Sequence, residues 1–296
     1  MKPSFLVISD LLDVTQRAAA WAARLAAPAG AQLVLLHVET MPVIDPTSGM
    51  MVTPVMYLSP TQEINDALTE LAQQLPVETT VEVWGGVLSA VLPEMIARYQ
   101  PELLVLGLNE EHDVLDRLLL NQALPSLRDT RLPLLLVPAA TSNPTLPHRV
   151  ALAVDGEPFH LSKQSEALKP ILSAWAAEYS VVHVARASSA PEKEMRQALA
   201  SVQMSGLLPA VPNECAHEVR HASPATGVLR AVAEMQADLL VLIARPRSFL
   251  SALFHHSVTA EVARRSLVPM LVLPVLEEHS PIAKTQPNPS VDLKAY

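Results

Sequence analysis

The string His217-Glu-Val-Arg-His221 matches the HExxH motif of zinc hydrolases letter for letter. That motif requires a helix, because only there do two residues four apart lie on one face and share a metal ion. Here the string is predicted to form a strand, with Pro224 soon after it, and its two histidines would then lie about 13 Å apart. We therefore expect no metal site. Metal-dependent hydrolysis at His217 and His221 is the enzyme hypothesis, which stoichiometric zinc in the purified protein would support.

The other reactive side chains form no catalytic constellation. The single cysteine, Cys215, lies beside a predicted strand, without the helix N-terminus that activates a thiolate. No Ser-His-Asp arrangement can be assembled from the sequence. His37 and His183 recur at equivalent positions of two apolar runs, where a histidine is more often a hydrogen-bonded core residue than a ligand. We therefore expect a protein that is not an enzyme and has no resident cofactor.

Charged residues also follow the apolar runs. Asp10 and Asp155 end two matching runs, where an aspartate either caps the turn after it or contacts a ligand at the edge of the sheet. Two later loops have opposite charge: the first contains Glu110, Glu111, Asp113 and Asp116, and the second contains Arg245, Arg247, His255, His256 and Ser257. A triphosphate is unfavourable at the first loop, because like charges 4 Å apart repel by about 1 kcal/mol even in water. The second loop could hold an anion at a helix N-terminus, or its charges are simply solvated.

Short apolar runs alternate with amphipathic helical patterns between these sites. Continuous apolar runs are typical of strands buried on both faces of a parallel sheet. In the first half we predict strands at 4–9, 32–38, 79–84, 102–107 and 133–137, and helices at 14–27, 61–75, 88–99 and 121–130. This alternation predicts an α/β fold with a doubly wound parallel sheet, which binds ligands outside the carboxyl ends of its strands.

The same pattern occurs twice. The run 5–10 recurs 145 residues later at 150–155, the run 35–38 recurs 146 residues later at 181–184, and the runs 102–107 and 132–138 recur only 136 residues later. A loop ten residues shorter in the second half explains the change of spacing. The chain is therefore predicted to be a tandem of two similar domains, at 1–140 and 147–276, followed by a disordered tail at 277–296.

Composition narrows the range of partners. The formal net charge of −9 disfavours nucleic acid and anionic membranes, and no apolar stretch reaches the length of a membrane span. One cysteine cannot form an intrachain disulfide, so a reduced, cytoplasmic protein is expected. Eight glycines in 296 residues are few for a chain with glycine-lined phosphate sites.

A tandem of α/β units whose first strands end in Asp10 and Asp155, with a Leu-Leu-Val-Leu strand before a helix, resembles the universal stress protein family. The resemblance covers about 3–138 and 148–275. It implies five-stranded, Rossmann-like domains of the adenine-nucleotide alpha hydrolase type. It also implies that the final strands, Leu134–Val137 and Met270–Leu273, pair so that the two domains form a pseudo-dimer within one chain.

Nucleotide-binding members of that family carry a phosphate loop after the fourth strand: glycine, two residues, glycine, nine residues, then glycine and serine or threonine. In the first half Gly107 fills the first position, but Glu110 and Asn121 stand at the next two. In the second half the corresponding positions read Ile243, Pro246, His256 and Ser257. Both motifs are broken, although the resemblance still implies that Asp10 and Asp155 are candidates for contact with an adenosine.

The leading hypothesis is a tandem universal stress protein that acts without catalysis, by binding an unidentified protein or small ligand, with degenerate nucleotide sites. The alternative is an ATP- or AMP-binding module that uses only the second domain, through Asp155, Arg245, Arg247, His256 and Ser257. Asp10 and Gly107 would mark the non-functional site of the first domain. A homodimer of the chain is a further expectation.

Overall fold

The computed structural model describes ten segments of the chain: 2–9, 13–39, 43–44, 51–52, 61–108, 131–141, 144–185, 191–208, 215–245 and 258–276. The helix predicted at 121–130 and the tail predicted at 277–296 lie outside these residues.

The first half contains the predicted parallel strands and the helices between them. The main strands are β1 (Ser4–Ser9), β2 (Gln32–Glu39), β5 (Thr79–Gly85), β6 (Leu103–Leu108) and β7 (Leu134–Pro138), and a small antiparallel pair consists of β3 (Val43–Ile44) and β4 (Met51–Val52). The helices are α1 (Asp13–Ala26), α2 (Thr61–Gln74) and α3 (Leu88–Tyr99). Each predicted strand, and each predicted helix within the described residues, is confirmed to within one residue at both ends.

The second half repeats this order. Its parallel strands are β8 (Arg149–Val154), β10 (Glu178–Ala185), β11 (Ala216–Arg220), β12 (Leu239–Ala244) and β13 (Met270–Leu276). Its helices are α4 (Lys163–Ala167), α5 (Lys169–Ala174), α6 (Pro191–Ser205), α7 (Pro224–Glu234) and α8 (Val258–Arg265). An added strand, β9 (His160–Leu161), pairs antiparallel with the end of β13.

The two halves share one continuous sheet, in the order β11-β10-β8-β12-β13-β7-β6-β1-β2-β5. Neighbouring strands are parallel within each half, whereas β13 and β7 pair antiparallel, with Leu271 opposite Leu135. The predicted pairing of the two final strands is therefore confirmed. The two five-stranded sheets meet at this seam.

Helices cover both faces of the sheet, which explains why the strands show no alternation of apolar and polar residues. Along β1, Phe5 and Val7 belong to one core, whereas Leu6 belongs to the other. The first core includes residues of α1, α5 and α6, and the second includes residues of α3, α7 and α8. This arrangement is the doubly wound architecture that the sequence predicts.

At the amino edge of the sheet, one acidic side chain in each half accepts hydrogen bonds from backbone N–H groups. Glu102 accepts a hydrogen bond from the backbone N–H of Ser4 at 2.7 Å. Asp238 does the same for the N–H groups of His148 and Arg149, at 2.8 and 2.9 Å. Each carboxylate therefore satisfies backbone donors at the start of β1 or β8. Burial raises the pKa of Glu102, and the hydrogen bond from Ser4 opposes that rise in part.

We expect Glu102→Gln to be at least as stable as the wild type at pH 7. Because the pKa of Glu102 is higher in the folded than in the unfolded chain, the folded chain binds more protons between the two values. Stability from this group is then present at low pH and is lost as the pH rises from about 4.5 through the folded pKa. Glutamine does not titrate, and its carbonyl oxygen still accepts from Ser4. Urea unfolding at pH 4 and pH 7 measures the difference, and a wild type that gains stability over the variant as the pH rises would contradict it.

Candidate functional site

The candidate site of the second half lies where the order of the strands reverses. From β8 the chain continues to β10 and β11 on one side, then crosses to β12 and β13 on the other. Ligands of such sheets bind in the crevice between the two strands that flank this crossing, at their carboxyl ends. Asp155 directly follows β8, and Arg245 directly follows β12, so both lie at this crevice.

Asp155 and Arg245 bind each other across the crevice. The Nε of Arg245 donates to Oδ2 of Asp155 at 2.7 Å, and its Nη2 donates to Oδ1 at 2.8 Å. This two-pronged geometry is the strongest form of the arginine–carboxylate pair. The Arg245 side chain is 27% exposed and that of Asp155 is 52% exposed, so the pair lies at the surface of the crevice.

The turn after β8 completes the surroundings of the Arg245 guanidinium. Its Nη2 also donates to the carbonyl oxygen of Glu157 at 3.0 Å, and its Nη1 donates to that of Pro158 at 3.2 Å. The Glu157 carboxylate lies 3.4 Å from Nε. The N–H of Glu157 in turn donates to Oδ1 of Asp155 at 3.1 Å, as expected for an aspartate that caps a turn. Among the described residues, the two candidate ligand-binding side chains, Asp155 and Arg245, are therefore engaged with each other and with this turn.

The side chain of His183 packs against this turn and the end of β8. Its Nδ1–H donates to the carbonyl oxygen of Val154 at 3.1 Å, and its Nε2 lies 3.1 Å from a carboxylate oxygen of Glu194 on α6. Gly156 adopts a φ of +82°, and a Cβ there would lie 3.0 Å from the His183 ring. His183 is 4% exposed and hydrogen-bonded at both nitrogens, so the prediction of a satisfied core histidine is confirmed.

A histidine in the first half makes the corresponding hydrogen bond to the end of the first strand. The Nδ1–H of His37 on β2 donates to the carbonyl oxygen of Ser9, the last residue of β1, at 3.0 Å. Asp10, the next residue, lies outside the described residues. The paired histidine positions are therefore a repeated structural feature that fixes the carboxyl end of the first strand in each half.

Close packing among the described residues explains why position 107 is a glycine. A Cβ at this position would lie 2.4 Å from Cγ1 of Val14 and 2.8 Å from the Val14 carbonyl oxygen. The first turn of α1 therefore rests directly on the end of β6. The second half has Ile243 at the matching position, and there the chain after β8 forms β9 before α4 begins at Lys163. The glycine permits a close helix approach that isoleucine blocks, which sequence comparison of the two halves could have indicated.

Of the predicted site residues, the structure brings Asp155 and Arg245 together and places Gly107 at the end of β6. Arg247, His256 and Ser257 lie outside the described residues, so their roles remain predictions.

The first four residues of the HExxH string lie on a strand, as predicted, and this strand, β11, is at the edge of the sheet. His217 is within β11, and Nδ1 of His221, just after it, accepts the N–H of Ser223 at 3.0 Å. No group of three or more His, Cys, Asp or Glu side chains able to hold a metal ion occurs within the described segments. In the same part of the chain, no helix is long and apolar enough to cross a membrane.

Comparisons with known proteins agree with this architecture. The profile of the universal stress protein family matches residues 3–138 and again 147–274. The crystal structure of a universal stress protein from Archaeoglobus fulgidus DSM 4304 is similar with a TM-score of 0.63 at 16% identity, covering 92% of this chain and 96% of that one. A comparison with curated proteins finds no match.

Two further solved structures share the fold. A functionally unknown protein from Pseudomonas aeruginosa PAO1 gives a TM-score of 0.54 at 16% identity over 93% of both chains. The cytoplasmic domain of a prokaryotic cation chloride cotransporter gives 0.51 at 12% identity over 92% of this chain and 95% of its own. At these identities the likeness concerns the fold alone.

Proposed function

Because this chain belongs to the universal stress protein family, whose profile matches both of its halves, we propose that it is a non-catalytic binding protein with degenerate nucleotide sites. It acts in stress adaptation in the cytoplasm, by binding a protein or a small ligand. It has no cofactor and no nucleic-acid or membrane partner. The proposal of a non-enzymatic role rests on the absence of a catalytic constellation from the sequence.

The observation that carries the proposal is the ion pair between Asp155 and Arg245. In the nucleotide-binding hypothesis, the Asp155 carboxylate is the acceptor for the nucleoside and Arg245 is a donor to phosphate. Arg245 already makes four hydrogen bonds to oxygen atoms of Asp155 and the turn after it. A phosphate would have to break these charge-assisted bonds, and it would approach the carboxylates of Asp155 and Glu157.

The packing of Gly107 supports the same conclusion for the first half. The residue matches the first glycine of the family's phosphate loop, but its missing side chain makes room for Val14 rather than for a ligand. The acidic residues that follow in the sequence, from Glu110 to Asp116, add repulsion against phosphate. We propose that this site binds no nucleotide.

We also propose a domain organisation of 1–140 and 147–276, with a tail at 277–296. The antiparallel seam between β7 and β13 supports a pseudo-dimer within one chain, because it uses the edge strand of each half. Any homodimer of the chain would then use another surface.

The alternative function is binding of ATP or AMP by the second half alone. It is favoured by the partial exposure of Arg245 and by the basic residues Arg247 and His256 and the hydroxyl of Ser257, which follow it in the sequence. In that case nucleotide would displace Asp155 from Arg245 and use the guanidinium as a phosphate donor.

Mass spectrometry of the protein purified from cells under native conditions tests the proposed function. We expect the mass of the chain without a nucleotide, and any retained molecule to belong to another chemical class. A stoichiometric adenine nucleotide would contradict the proposal, since neither crevice is expected to hold a phosphate.

A further inference from the structure

A second contact joins the two halves away from the strand seam. Trp175, which follows α5, is 3% exposed, and its indole Nε1–H donates to the carbonyl oxygen of Leu25 at 3.0 Å. Leu25 is next to last in α1, where backbone carbonyls have no partner within the helix. The hydrogen bond therefore satisfies a buried acceptor of the first half with a donor from the second.

The two halves carry different residues at this interface. Gly30 and Ala176 both have left-handed backbones, with φ of 62° and 52°, and each lies two residues before a corresponding strand, β2 or β10. This match makes Ala29 the counterpart of Trp175. Ala29 is partly buried, in the short 3-10 turn (27–29) after α1, and α5 packs against that turn. One half thus contributes an indole where the other contributes a methyl group.

The strand seam itself distinguishes the two halves poorly. Its register covers only three pairs, between Leu134–Leu136 and Met270–Val272, and both segments are short and aliphatic. Two copies of either strand could pair with each other by the same hydrogen bonds, so some other feature must select the unlike strand.

We infer that the difference in size between Trp175 and Ala29 selects the pairing of a first half with a second half over the pairing of like halves from two chains. Two first halves would place an alanine at both positions, which leaves the Leu25 carbonyls without an indole donor and the volume of the indole unfilled. Two second halves would place an indole at both positions, where the interface here accommodates one indole and one methyl group. Both like pairings are therefore disfavoured by packing, and the unlike pairing alone fills the interface.

Exchange of the two residues tests this inference in the full chain. Ala29→Trp and Trp175→Ala each make the two halves alike at the interface, so each should lower the melting temperature. Each should also yield species larger than the wild type as concentration rises, measured by light scattering. The double variant Ala29→Trp/Trp175→Ala restores one indole and one alanine. We expect it to return to the wild-type mass, with a melting-temperature loss at least ~3 °C smaller than the sum of the single losses.

Additive losses, or a double variant that associates as the single variants do, would overturn the inference. Trp175→Phe provides a control that is expected to fold, because it keeps most of the aromatic volume while it loses the N–H donor and the smaller ring of the indole. It should retain the mass of the wild type. If Trp175→Phe associates as strongly as Trp175→Ala, the difference in size does not select the pairing and the inference is refuted.

Discussion

Gly107→Ala is expected to lower the melting temperature of the chain by roughly 2–5 °C, through a loss of about 1–3 kcal/mol. The added Cβ would lie 2.4 Å from the Val14 side chain and 2.8 Å from its carbonyl oxygen. The side chain of Val14 can rotate, but its backbone belongs to the first turn of α1 and cannot move without lifting the helix from β6. Thermal unfolding followed by circular dichroism measures the effect.

Gly85→Ala is the matched control for this prediction. Gly85 ends β5, and a Cβ there meets no atom within 4 Å. Its replacement should change the melting temperature little, since surface substitutions are usually within about 0.5 kcal/mol of neutral. Equal melting temperatures for the two variants would refute the close packing of α1 against β6.

Leu271→Ala is expected to destabilise the whole chain by about 2–5 kcal/mol, or roughly 3–8 °C in melting temperature. Leu271 is 1% exposed on β13 and lies opposite Leu135 on β7. Its truncation leaves a cavity where the two halves join. Because one sheet continues through this seam, differential scanning calorimetry should show the loss in a single transition rather than in one of two.

Leu267→Ala controls for the change of residue type. Leu267 lies a few residues before β13 and is 70% exposed, so its truncation removes little buried surface. We expect its melting temperature to stay within about 2 °C of the wild type. A cost at Leu271 no larger than that at Leu267 would show that the seam contributes nothing to stability.

Much of the fold could be predicted because the strands bury both faces. β1 and β6 appear in the sequence as continuous apolar runs, and α1 is rich in alanine, which strongly favours a helix. Local pattern therefore locates these elements to within one residue. The recurrence of the run 5–10 at 150–155 and of the run 132–138 at 268–274 then predicts the second domain, and the family resemblance implies the pairing of β7 with β13.

Long-range side-chain contacts could not be predicted in the same way. The sequence places Asp155 and Arg245 at the carboxyl edge of one sheet, but it does not indicate that they bind each other rather than a ligand. That choice depends on the turn after Asp155, whose carbonyl groups converge on the guanidinium. The contact between Trp175 and Leu25 likewise depends on how two halves of the chain meet.

Gly107 shows how one residue type can support two interpretations. In a phosphate loop, a glycine lets backbone amides approach the ligand, whereas here it lets α1 approach β6. Both uses need a missing side chain, so the sequence motif alone does not separate them. The position of Val14 directly beside Gly107 separates the two uses, because it shows that the space is filled by α1.

The melting temperature of the wild type and of Arg245→Ala in millimolar ATP, ADP or AMP tests the central claim most directly. A nucleotide at 100 times its dissociation constant would add about 2.7 kcal/mol of stability. If Arg245 binds Asp155 and not phosphate, the arginine contributes nothing to nucleotide binding. We therefore expect nucleotide to leave the melting temperature of both proteins unchanged. A rise in the wild type that disappears in Arg245→Ala would contradict the account and show that the second half uses this arginine to bind nucleotide.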